Sequence, residues 1–516
     1  MRKYIASLAA ALCLGGWAQA QTCLPAEWAY KVKNEAFSHS QMDELAQFMT
    51  DELGSRLAAS QMKLRSEKMV MEKLKELGLS NVRTEFAYDF EKGGWDNEKT
   101  YVAMTQPYYC SFAANPKAWS GSTKGLTKGE CVAIQVKEAA DLEQYKGKLA
   151  GKIILMPTQE KYEIKFEPLA KRYTEEELEE IAQDPRPKAG FRFDPAMLEQ
   201  WKARRELQKA ISAFLKEEQV LAVVQAGGTF NVPTSRGVEY KVGDPEPVPE
   251  IVLPIEDHNR MVRLANKGIK VEMELDIQNK FTDNQKINNV IAEIPGTDPK
   301  LKDEIVLIGA HLDSWHGSTG AADNASGCVV MMEAMRILKS LNVAPKRTIR
   351  IALWGGEEQG LYGSRGYANQ LYDTKNKKKL PGYDKFALYL NVDNGSGRFR
   401  GIYLEENDLA VPFFEAWKKP FESLGFQTLT LRKTGGTDHM SFDFLGLPAY
   451  QFIQDELEYD RTYHTVMDTY ERLSIPDLQV DAAIVAWLAL NAAMDNARIP
   501  VKPGYPENVT PMPEFS

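Results

Sequence analysis

The chain has 516 residues, 43% of them hydrophobic and 26% charged, with a formal net charge of −9. That length exceeds one ordinary core and suits two or three domains of a soluble globular protein. The acidic balance, without a stripe dense in lysine and arginine, argues against nucleic acid as a partner.

The first element is a leader. Arg2 and Lys3 precede an apolar run from Tyr4 to Trp17, and Ala18-Gln19-Ala20 offers small residues for a cut before Gln21. The pattern predicts a signal peptide at 1–20 and an exported protein, periplasmic or extracellular. No later stretch approaches the ~20 apolar residues that a membrane span needs. Cys23, Cys110, Cys131 and Cys328 remain after the cut, too far apart in sequence for a thiolate metal site. No disulfide is predicted among them.

Residues from about Glu27 to Leu79 carry a helical pattern, clearest from Leu57 onward and stopping at Gly78-Leu79. Val82 to Phe90 then reads as a strand. From about Tyr101 to Ile277 the texture changes. Short β-like runs appear at Glu130–Ile134, Gly151–Met156 and Val248–Pro254. Between them lies a charged helical block, with Thr174 and Glu177 in capping-box spacing and Asp194-Pro195 as a cap and first-turn proline. The helices are expected over Thr174–Ala182 and Pro195–Gln219. This stretch reads as a domain inserted into the first.

From about Lys286 apolar strands alternate with longer helical patterns. The strands are expected at Asn289–Ile294, Ile305–Ala310, Thr348–Trp354, Ala387–Val392 and Ala449–Ile453. The helices are expected at Ser326–Leu341, Pro412–Leu424 and Asp477–Ala497. Such alternation predicts an α/β domain with a largely parallel sheet and helices on both faces.

Polar clusters fall just beyond the strand ends, where open α/β sheets bind ligands. His311-Leu312-Asp313 follows the strand Ile305–Ala310, Glu357-Glu358 follows Trp354 through two glycines, and Asp393 follows Val392. Asp323 lies on the loop Gly320–Gly327 leading into a helix, and Tyr463-His464-Thr465 comes after the last strand. Imidazole and carboxylate are natural zinc ligands. Two ions ~3.5–4 Å apart can share one bridging carboxylate and split a peptide bond. One of the adjacent acids Glu357 and Glu358 can bind metal while the other acts as base.

The segments His311-Leu312-Asp313-Ser314-Trp315, Gly320–Gly327, Trp354–Gly360 and Tyr463–Thr469 resemble metallopeptidase family 28, which includes zinc aminopeptidases and glutamate carboxypeptidases. The nearest likeness is its plasma glutamate carboxypeptidase (carboxypeptidase Q) branch. The inserted stretch, with Lys146–Ile154, resembles a protease-associated domain. The resemblance implies a three-layer α/β zinc-exopeptidase fold, with a mixed, largely parallel sheet and a β-rich insert. It divides the chain into a catalytic domain at 21–100 and 278–498, the insert with its helical excursion at 101–277, and a tail at 499–516.

Carried over residue by residue, the resemblance implies two divalent ions, of which zinc is the expected one. His311 and Asp393 would hold one, Glu358 and His464 the other, with Asp323 bridging. Glu357 would be the general base, Asp313 the partner that orients His311, and Tyr463 a hydroxyl for the oxyanion. His316 would line the pocket, His439 would hold a nearby loop, and His39 and His258 read as surface residues. The expected substrate is a peptide or dipeptide trimmed by an aminopeptidase. A carboxypeptidase or dipeptidase reading stands beside it, with Arg432, Lys433 and Arg461 as cations for a free carboxylate. A one-zinc glutaminyl cyclase and a non-enzymatic, receptor-like relative are the further alternatives. A homodimer is left open.

Overall fold

The computed structural model describes residues 23–158, 162–164, 166–183, 195–228, 231–235, 237–509 and 512. The leader at 1–20 and the cap at Asp194 lie outside the described residues.

The helical start resolves into Ala26–Ser38, Met42–Gln47 and Gln61–Glu76. Gly54, at φ 69, interrupts it, and Ser60 caps the third helix by accepting from the Lys63 backbone N–H at 3.0 Å. The chain then enters the edge of an eight-stranded mixed sheet. Its spatial order is Ser80–Asp89, Lys286–Ile294, Thr348–Trp354, Ile305–His311, Phe386–Asn391, Ala449–Gln454, Phe399–Tyr403 and Thr428–Thr430. The four strands from Thr348–Trp354 to Ala449–Gln454 run parallel, and antiparallel strands flank them.

The parallel strands are apolar on both faces, as strands sandwiched between helical layers must be. Val306 and Ile308 face one core with the helices Ser326–Ser340 and Ile475–Met494. Leu307, Trp354 and Tyr389 face a second core with Tyr367 and Phe442. The helix Ile475–Met494 is long and apolar enough to cross a membrane, but its residues are buried in the first core. The expectation that no stretch after the leader approaches a membrane span is therefore corrected: this helix does so by length and composition, and its packing in the core explains that composition.

The second sheet also has eight strands. Cys110–Ser111, Gly94–Gln106, Glu272–Thr282, Thr127–Ala133, Ile153–Leu155, Ala222–Ala226, Glu250–Leu253 and Asn115–Pro116 follow one another across it. It reaches beyond the expected 101–277 at both ends, because two long strands, Gly94–Gln106 and Glu272–Thr282, carry the chain out and back. The run Asp96-Asn97-Glu98-Lys99-Thr100 makes the first of these too polar to read as a strand. Helices at Glu175–Gln183 and Pro195–Glu217 match the expected pair. At the former, the Thr174 and Glu177 side chains each accept the other's backbone N–H, at 3.2 and 2.8 Å. The four described cysteines are unpaired.

Candidate metal centre

The register of the parallel strands brings the chemistry to one edge. His311 pairs with Trp354, and Gly309 with Asn391. The turns that follow these strands therefore leave the sheet side by side, carrying His311, Glu357-Glu358 and Asp393. Gly309 permits the close spacing, since a Cβ there would meet the Ala352 carbonyl at 2.6 Å.

Six side chains converge in two triads. His311, Glu357 and Asp393 form one, and Asp323, Glu358 and His464 the other. Asp323 joins them: its Oδ1 lies 3.0 Å from His311 Nε2 and its Oδ2 2.9 Å from His464 Nε2. His311 Nε2 also lies 3.3 Å from Asp393 Oδ1 and 4.0 Å from Glu357 Oε2. His464 Nε2 lies 2.8 Å from Glu358 Oε2. His311 Nδ1 donates to the Asp313 carbonyl at 2.9 Å, which turns Nε2 toward the acids.

Three buried groups hold the scaffold. The Asp313 carboxylate accepts from the backbone N–H of Glu357 at 3.1 Å and of Glu358 at 3.2 Å, fixing the turn that splits the two acids. It is Asp313's main-chain carbonyl that orients His311, with the nearer carboxylate oxygen 3.8 Å from Nδ1. Asp468 accepts from the N–H groups of Ala322 at 2.6 Å and Asp323 at 3.0 Å. Arg56 donates to the carbonyls of Leu312 at 2.7 Å, Thr319 at 2.6 Å and Gly320 at 3.0 Å, tying the strand end to the loop that carries Asp323. Neither Arg56 nor Asp468 was assigned a role from the sequence. Asp468 sat inside a family-like segment and was legible there, whereas Arg56 gave no signal.

Electrostatically the centre is over-supplied with negative charge. Burial pushes Glu357 well above the usual carboxylate range and Glu358 up to about 7. Burial opposes the charged form of His464, but the Glu358 carboxylate overrides it and raises the imidazole to about 12. His311 is likewise raised against its burial by Asp393 and Glu357. Burial resists the ionised form of Asp323, yet the two imidazoles hold it below the ordinary range. Asp438, fully buried nearby and unassigned from sequence, is lifted by burial to about 8. Glu358 Oε1 is buried without a hydrogen-bond partner. Two imidazoles, a shared carboxylate, surplus acid and an orphaned oxygen form a donor set that fits divalent cations.

The remaining expected residues scatter. Tyr463 stands at the rim, 39% exposed, stacked on Tyr459 at 5.0 Å and beside the His464 ring at 4.6 Å. His316 is buried in the seam with the second sheet, 2.6 Å from the Pro116 carbonyl. His439 is buried beside Glu405, 3.6 Å away. His39 is exposed, but His258 is fully buried, which corrects its surface reading. It lies on a helix, Ile255–Asn266, that packs its inner face on the second sheet. Of the candidate carboxylate-binding cations, Lys433 is engaged by Asp443 at 2.8 Å and Arg461 by Glu458 at 3.3 Å.

Residues 289–489 match the model described as Peptidase family M28. Carboxypeptidase Q of Mus musculus is 28% identical over 296 residues, covering 57% of this chain and 60% of that protein. The match thus spans less than two thirds of that relative's length. A solved structure titled Peptidase M28 precursor from Shewanella amazonensis SB2B superposes with a TM-score of 0.65 at 22% identity, over 93% of this chain and 98% of the other. BSAP, a zinc aminopeptidase from Bacillus subtilis, superposes with a TM-score of 0.54 at 19% identity, over 89% and 97%. These likenesses establish the fold.

Proposed function

We propose, from the membership of residues 289–489 in peptidase family M28, that this chain is a metal-dependent exopeptidase acting as an aminopeptidase through the Asp323-centred cluster. The observation that carries the reading is the placement of Asp323, one oxygen toward each imidazole at 3.0 and 2.9 Å. His311, Asp393 and Asp323 would hold one divalent cation, and His464, Glu358 and Asp323 the other, zinc being favoured by the ligand types. Two cations so held would supply Lewis-acid polarisation of the scissile carbonyl and acidify the attacking water.

The chain's own residues supply the rest. Glu357, which stands 4.0 Å from His311 and apart from the close carboxylate–imidazole pairs, takes the proton of the water as the water's oxygen bonds to the carbonyl carbon. The same carboxyl then gives that proton to the leaving amine as the C–N bond breaks. Asp313 keeps Glu357 and Glu358 apart by gripping consecutive N–H groups. Tyr463, whose ring lies beside that of His464, would donate to the developing oxyanion. The amino-terminal reading is supported by the acids gathered in the two triads, which suit a substrate ammonium. The resemblance of the second sheet's region to a protease-associated domain, and export directed by residues 1–20, belong to the same proposal.

The test is hydrolysis of short peptides blocked at one end. C-terminally amidated peptides should be cleaved and N-acetylated ones spared. The reverse pattern would assign the carboxypeptidase reading. Turnover that survives exhaustive chelation would overturn both.

A further inference from the structure

The loop that carries His464 is held by residues that lie far from it in sequence. His464 itself adopts a left-handed backbone, φ 54, which a β-carbon disfavours and which surrounding contacts must maintain. Part of that support comes from the inserted region. The Thr234 N–H donates to the His464 carbonyl at 2.8 Å, and the Val466 N–H donates to the Val232 carbonyl at 3.0 Å. Between these bonds Pro233 faces Thr465 in a single antiparallel bridge. The Asn231 amide donates to the Arg461 carbonyl at 2.9 Å. A second strap grips the same segment upstream. Lys171 and Leu457 exchange backbone bonds of 3.0 and 2.8 Å, and Arg172 reaches Asp455 at 2.8 Å and Asp477 at 2.6 Å. His311 and Asp393, by contrast, end or follow strands of the first sheet, and among the described residues their backbone takes no such hydrogen bonds from the insert.

We propose that the inserted region is a clamp on the half-site built from His464 and Glu358: residues Asn231–Thr234 position the His464 main chain, so that affinity for one of the two cations depends on the insert. The inference rests on the two-cation reading above. Asn231 and Thr234 are positioning residues, since neither belongs to either triad. The physical argument is directional. An imidazole swings with its backbone, and a metal ligand left without its supporting hydrogen bonds loses pre-organisation. The half-site on the first sheet is fixed by strand pairing and is insulated from that loss.

Zinc titration of the full chain against a chromophoric chelator tests this, with Thr234→Pro removing the N–H that reaches His464 and Asn231→Ala removing the bond to Arg461. The expected result is two ions in the parent chain. In each variant one dissociation constant should rise by about 10- to 100-fold, the typical consequence of losing a ligand's supporting shell, and the other should stay unchanged. The melting temperature of the metal-free protein should hold in Asn231→Ala, so that this variant decides the matter if Thr234→Pro misfolds. Cobalt substitution should show the visible absorption of one half-site reduced and the other kept. Parent-like dissociation constants in the variants, or an equal rise in both, would overturn the clamp. A parent chain that binds fewer than two ions would overturn the functional reading itself, before any variant is made.

Discussion

At the scale of single residues, adjacent glutamates perform different tasks because one carboxylate, that of Asp313, fixes the turn between them. Glu358 is aimed at His464, at 2.8 Å, while Glu357 stands 4.0 Å from His311 and touches neither imidazole closely. Replacing Glu357 with Gln should therefore leave cation content intact and lower kcat by about 100- to 10,000-fold, the usual range for a general base. Replacing Glu358 with Ala should cost one cation per chain, whereas Asp323→Ala should cost both. Metal analysis of the three purified variants distinguishes these roles, and equal metal loss in all of them would contradict the assignment. Five of these six clustered residues were legible from the strand pattern, because each ends or closely follows an apolar strand or sits in a glycine-rich loop; His464 lies well past its strand, beyond the helix Tyr459–Thr462, and was marked only by the resemblance of the Tyr463–Thr469 segment. The groups that hold them were less so: a buried arginine such as Arg56 is written like any surface arginine, and only packing reveals it.

At the scale of elements, the site depends on a tight loop between a strand end and a helix. The Gly320–Gly327 segment presses against its neighbours so closely that a Cβ on Gly327 would meet Asn324 Oδ1 at 2.4 Å and the Val392 carbonyl at 2.6 Å. Gly327→Ala should cost about 1–3 kcal/mol of stability, as overpacking does, and should displace Asp323. Arg56→Leu should cost about 3 kcal/mol or more, since several buried carbonyls lose their donor at ~1–3 kcal/mol each. Denaturant unfolding of both variants checks these values, and stability within 0.5 kcal/mol of the parent, the usual range for surface changes, would contradict them. The central strands were readable because both of their faces are buried, so Ile305–His311 and Thr348–Trp354 are nearly continuous apolar runs. Gly94–Gln106 and Glu272–Thr282 were not, because half-exposed strands carry polar residues wherever they face solvent. The helix Ile255–Asn266 escaped notice for the same reason, its buried face being only Ile255, His258 and Met261.

At the scale of the whole molecule, the first sheet gathers a cluster of buried acids that outnumbers the cationic groups found beside it among the described residues. Arg56 and two imidazoles are the cationic groups named there, against Asp313, Asp323, Glu357, Glu358, Asp393, Asp438 and Asp468. Cations should therefore stabilise the fold as well as activate it. Zinc at one hundred times its dissociation constant should add about 2.7 kcal/mol per independent site, read as a rise in melting temperature that a chelator reverses. A melting temperature indifferent to both additions would contradict this. The most direct test of the account is anomalous diffraction at the zinc edge from crystals grown with zinc. The account predicts two peaks per chain, one beside His311 and Asp393 and one beside His464 and Glu358, with an oxygen of Asp323 on each. A single peak, or two peaks that do not share Asp323, would contradict it.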